Sequence, residues 1–254
     1  MRKTLLALSL LSLLASAACG DGGGIEIEIE KAAGSASAPA LTAKLAGKVT
    51  FEGTAPTPKK IPTSSQPGCK DSDLVSEDYV VSDGGLENVI LYVSGGDIAG
   101  KTFPVPAEVV TLTQEGCRYV PHTLTLQVRQ QLRVVNNDEI AHNVHGWAEA
   151  NKIFNDSQSS KGVENIHTFD KEEVLLPVRC DIHNWMNAFI GVFSHPLHTV
   201  SKKGGAYEMM LPAGSYKVTA AHETLGKQEM MVTVAENGTV ELNFTFKAKD
   251  KSAN

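Results

Sequence analysis

Residues 179–193 read RCDIHNWMNAFIGVF, which sets a cysteine, a histidine and a methionine at intervals of three: Cys180, His183 and Met186. The three could be unrelated positions at the end of a β-hairpin. They could also be three ligands of one metal ion. On a straight strand, residues three apart point to opposite faces, so convergence requires the connection to curl around a common point. A thiolate, an imidazole and a weak thioether make up most of the donor set of a blue-copper site, which needs one further imidazole at short range. The stretch NNDEIAHNVHGW, residues 136–147, offers His142 and His145. They too are three apart, so on an extended backbone one of them faces a given metal. Zinc fits less well, because it takes four strong ligands and seldom methionine.

The elements that must position these residues follow a period of two, not 3.6. KVTFEG, NVILYVSG, TLTLQV, LRVVNN, VLLPVRC, AFIGVF, SYKVTAA and the final EMMVTV and GTVELNF runs alternate or stay apolar for four to eight residues. Turn signals separate them at Gly84-Gly85, Gly95-Gly96, Asn136-Asn137-Asp138, Gly204-Gly205 and Asn237-Gly238. No stretch after the N-terminal segment makes an amphipathic helix of useful length. The expected class is all-β, as sandwich or barrel.

The N-terminus bears on compartment. Arg2 and Lys3 precede LLALSLLSLLASAA, an apolar run of signal-peptide length. Residues 1–18 are expected to be removed and the mature chain exported, into a compartment where thiols pair unless something else holds them. Residues 19–46 read as an acidic, alanine- and serine-rich linker, and 247–254 as a tail. The chain carries a formal charge of −6, with no cluster of Lys or Arg among aromatics, which argues against nucleic acid as a partner. No Ser/His/Asp grouping, phosphate loop or pair of catalytic carboxylates stands out.

Three resemblances sharpen these readings. The segment ASAAC resembles the lipobox of bacterial lipoproteins, with Cys19 as the lipidated residue and Ser16 where leucine is usual. AHNVHGW followed by CDIHNWM resembles the cupredoxins, with an amicyanin-like Cys-x-x-His-x-x-Met loop. The upstream run GCRYVPHTLTLQVRQQLRVVNND is similar to the hairpin before their first ligand. The resemblance covers residues 107–196. It implies a Greek-key β-sandwich with one copper ion on His142, Cys180, His183 and Met186, and His145 outside the ligand set. It also implies that Asn143 ties the two ligand segments together at Asp181, its backbone N–H reaching the sulfur. Two departures stand out: Ile182 replaces a proline and so has an N–H available to the thiolate, and Asp181 replaces a small hydroxyl residue. Finally, residues 197–246, with LPAGSYKV, resemble the carboxypeptidase regulatory-like β-sandwiches. Such a domain opens on a segment like AGKVTFEGTAP, here residues 46–56, so the strands of 47–106 are expected to pair with the C-terminal sandwich around an inserted 107–196.

With Cys180 assigned to metal and Cys19 to lipid, Cys69 and Cys117 are expected to form a disulfide rather than remain free thiols. His122, His167, His195, His198 and His222 are read as ordinary packed or solvated histidines, with a second surface metal site at His195 and His198 of SHPLHTV as the less favoured alternative. Trp147 and Trp185 flank the ligand motifs, and His183 is expected on an exposed loop as the electron port. The chain is thus expected to be an exported, lipid-anchored, one-electron carrier that is not an enzyme, serving a periplasmic or membrane-bound redox partner. Copper delivery, an open-site copper enzyme and a metal-free binding or adhesion module are the alternatives.

Overall fold

The computed structural model describes residues 38–66, 68–69 and 73–248, so the signal-like segment, Cys19 and the last six residues lie outside the described residues. The described chain is built from strands and one short 3-10 turn at Lys203–Gly205. The expected all-β class holds.

In chain order, β1 (Ala43–Glu52), β2 (Val81–Ser82), β3 (Gly85–Leu86) and β4 (Ile90–Gly96) come first. Then follow β5 (Val110–Gln114), β6 (Tyr119–Val120), β7 (Thr123–Gln127), β8 (Leu132–Asn136), β9 (His142–Gly146), β10 (Phe154–Gln158), β11 (Glu164–His167), β12 (Glu173–Arg179) and β13 (Asn187–Phe193). The chain closes with β14 (His198–Val200), β15 (Ala206–Leu211), β16 (Gly214–His222), β17 (Gly226–Val234), β18 (Thr239–Glu241) and β19 (Phe244–Lys247).

The first and last groups share one sandwich. β1 runs antiparallel to β15 and parallel to β18 and β19, while β4 lies between β14 and β16 in the facing sheet. Their inward side chains form one core, with Leu45, Val49, Leu91 and Val93 from one end of the chain and Tyr216, Val218, Phe244 and Phe246 from the other. Gly47 is required where these strands crowd: a Cβ there would come within 1.9 Å of the Leu242 carbonyl oxygen. β1 begins at Ala43, inside the stretch read as linker. Ala43 and Leu45 are fully buried, and the alanine- and serine-rich composition around them masks the alternation of the strand.

β5 to β13 form a second sandwich, of a five-stranded sheet β10-β9-β12-β13-β7 and a four-stranded sheet β11-β8-β5-β6. Parallel pairs β7–β13 and β5–β8 show that the chain crosses between sheets rather than meandering. A separate core fills it, including Leu112, Leu126, Val134, Val144, Val178 and Ile190. The segment between β1 and β2 leaves the outer sandwich and is joined to the inner one by the Cys69–Cys117 disulfide. There Cys69, Leu74 and Cys117 make a small third cluster with Ile61, Ile140 and Trp185. A second tie is the contact of His122 Nε2 with Glu223 Oε1 at 2.7 Å, from the turn after β16.

Candidate metal centre

Antiparallel pairing of β9 with β12 sets the geometry. Val178 lies opposite Gly146 and Arg179 opposite His145, so the chain beyond β12 passes alongside the start of β9. Gly146 has no side chain because the Phe154 ring of β10 occupies that space, 2.2 Å from where a Cβ would stand. Alternation along β9 then separates its two histidines. His142 is fully buried, whereas His145 turns to the rim, where it bonds Asp181 at 3.0 Å and stacks on Trp147 at 4.2 Å between centroids.

Beyond Arg179 the backbone curls as convergence requires. The Met186 N–H donates to the His183 carbonyl (2.9 Å), the Cys180 N–H donates to the Met186 carbonyl (3.1 Å), and the His183 N–H donates to Cys180 Sγ (3.4 Å). The donor to the sulfur among the described residues is thus the His183 amide, rather than that of Ile182 or Asn143. The curl places the His183 amide inside the loop. His142 Nδ1 lies 3.0 Å from His183 Nδ1, and Cys180 Sγ lies 3.9 Å from the latter. One donor atom from each of His142, Cys180 and His183 falls within a 4.8 Å group. All three residues are buried, and Met186, 1% exposed, lies in the same core as Cys180.

The donor set fits copper on the chemistry present: two imidazole nitrogens and a thiol sulfur converge, with a thioether in the same loop and apolar packing around them. A second group of Cys117, Asp138 and His142 is as compact, but the Cys117 sulfur is committed to its disulfide. Burial pulls the His142 pKa down against the hydrogen bond to Asp138, and burial together with the neighbouring His142 pulls down that of His183. Both rings are therefore biased to the neutral form that metal binding requires.

Asn143 joins the two candidate ligand segments. Its Oδ1 accepts the Asp181 backbone N–H at 2.7 Å, and its Nδ2 donates to Asp181 Oδ2 at 3.0 Å and to Asn155 Oδ1 at 2.8 Å. Burial works against the Asp181 carboxylate, but hydrogen bonds from Asn155, His145 and Asn143 hold its pKa below the usual value. Cys69 and Cys117 are bridged. His183 itself is 3% exposed, so the imidazole expected on an open loop is covered, and the exposed positions around it are Asp181, Ile182 and Asn184.

Sequence reasoning passed over Asp138, Asn155 and Tyr119. Asp138 Oδ2 lies 2.9 Å from His142 Nε2, four residues away, and Tyr119 donates to the Asn143 carbonyl at 2.6 Å. A carboxylate four residues before a candidate ligand histidine was the available signal for Asp138. Asn155 reaches the site only through the β9–β10 pairing, which leaves no local trace.

No family model matches the chain, and no curated protein matches it. Among solved structures, it is similar to a novel purple cupredoxin from Nitrosopumilus maritimus at 21% identity, over 33% of this chain and 98% of that one, with a TM-score of 0.29. A copper-containing nitrite reductase from Thermus scotoductus is 22% identical over 41% of this chain and 28% of its own, with a TM-score of 0.33. A methionine-to-alanine mutant of amicyanin, in its Cu(I) form, is 15% identical over 40% of this chain and 97% of that one, with a TM-score of 0.28.

Proposed function

We propose that this chain binds one copper ion through His142, Cys180, His183 and Met186 and carries single electrons. One observation supports this above all. One donor atom each of His142, Cys180 and His183 falls within 4.8 Å of the others, while the loop backbone and His142 Nε2 are already held by hydrogen bonds. When bound, copper supplies a one-electron couple between Cu(I) and Cu(II). The chain's part is to hold the donors in one arrangement for both states, which keeps reorganisation small. Burial of Met186 and both ligand histidines excludes water from the ligand positions, which favours a carrier over an enzyme with an open site.

The signal-like segment and the lipobox-like ASAAC support export and tethering at Cys19, with residues 19–42 as spacer. The outer sandwich, shared between β1–β4 and β14–β19, supports a carboxypeptidase regulatory-like module that holds the copper sandwich. Its partner would be an envelope redox protein that approaches the exposed Asp181–Asn184 edge. Cyclic voltammetry of the copper-loaded full chain tests the carrier role. Reversible one-electron cycling without metal loss is expected, with no spectral change on adding azide. Direct azide binding, or ready loss of Cu(I) to a chelator from a still-folded protein, would replace the carrier with an enzyme or a delivery protein.

A further inference from the structure

The turn before β9 carries a group that the four donors leave unused. Asp138 Oδ2 lies 2.9 Å from His142 Nε2, the ring nitrogen opposite the one that faces His183. This carboxylate is itself held. The Gly116 N–H donates to its Oδ1 at 2.7 Å, the Cys117 N–H donates to its Oδ2 at 2.9 Å, and its own N–H donates to Asn136 Oδ1 at 2.9 Å. Those two donors sit in the β5–β6 turn, and the Cys69–Cys117 bridge ties that turn to the segment between β1 and β2. The same turn reaches the other ligand: the Cys117 carbonyl accepts Trp185 Nε1–H at 3.0 Å, and the Trp185 ring lies 5.2 Å from that of His183.

An imidazole that donates Nε2–H to a carboxylate keeps its Nδ1 lone pair for a metal and gains basicity there. We propose that Asp138 is a positioning residue for His142 and that the β5–β6 turn, clamped through the disulfide to the segment between β1 and β2, holds Asp138 in place and so sets the tautomer and donor strength of one ligand. The inference rests on the copper reading above, yet its first readout needs no metal.

In the metal-free full chain, nitrogen-15 NMR should show His142 as the Nε2–H tautomer. Asp138→Ala should mix the tautomers and weaken Cu(II) binding by about 10- to 100-fold. Asp138→Asn, which keeps an acceptor without the charge, should retain the tautomer and recover part of the affinity. The Cys69→Ala/Cys117→Ala double variant, confirmed folded by circular dichroism, should move both readouts the same way by a smaller factor. Tautomer loss in Asp138→Ala supports the positioning role even if the wild type gives no thiolate-to-copper band, an outcome that sinks the copper reading alone. An Nδ1–H tautomer in the wild type, or an unchanged tautomer and affinity in Asp138→Ala, overturns the proposal. Wild-type behaviour in the double cysteine variant overturns the part assigned to the bridge.

Discussion

Two imidazole nitrogens 3.0 Å apart cannot both carry a proton toward each other, so His142 Nδ1 and His183 Nδ1 must share at least one lone pair. Lowered pKa values at both rings agree with that, and a buried thiol beside them adds one soft sulfur to the two imidazole nitrogens. On the proposed copper reading Met186 would stand apart, since a weakly held thioether tunes potential more than affinity. Met186→Leu is close to volume-conserving, so it should cost less than about 1.5 kcal/mol in stability. It should keep the colour and the copper, and raise the midpoint potential by removing a donor to the metal. Potentiometry checks this; loss of the band in Met186→Leu would mean that the thioether is a strong ligand. Cys180, His183 and Met186 stood out in the sequence because rare residue types recur at short spacing. Asp181 and Asn143 could be paired only through the resemblance, since 38 positions separate them.

At the scale of elements, β9 and the β12–β13 loop make the site, and the turns around it hold them there. Strand identity was legible because alternation is local. Pairing was not, because a register such as that of β9 on β12 is fixed by side chains distant in sequence. The tie between His122 and Glu223 is of that kind. Burial opposes charge on His122, but the hydrogen bond to Glu223 and the charges of Glu223 and Glu77 outweigh it and raise its pKa. A raised histidine pKa gives stability that is complete below the unfolded value of 6.5 and lost as pH rises through the folded value. Glu223→Gln should therefore cost about 2 kcal/mol in mild acid, where the histidine is protonated and the carboxylate still ionised, and progressively less as the solution is made basic. His198, pushed down to about 3 by burial, destabilises both proteins alike in acid, so the difference between them carries the test. Urea denaturation across pH measures it. A pH-independent gap would show that His122 stays neutral.

The whole molecule sets one sandwich inside the other. β1 and β4 find their partners in β15, β16, β18 and β19, more than a hundred residues away, with nine strands and a second core in between. Weak strand content before residue 106 hinted at this, because too few strands lie there to close a core. What the sequence hid was the crossing of the β1–β2 segment to the ligand end of the inner sandwich, since a strap of turns has no periodicity to read. Through that strap and the His122 tie, the outer sandwich touches the surroundings of the ligands without supplying one. The central claim is that His142, Cys180 and His183 close on a single copper ion, and titration of the metal-free full chain with Cu(II), followed by visible absorption, tests it most directly. An intense thiolate-to-copper band that saturates at one equivalent, and vanishes in Cys180→Ser even if copper still binds, is the predicted result. A weak spectrum typical of surface histidines, or an intense band that survives in Cys180→Ser, would contradict it.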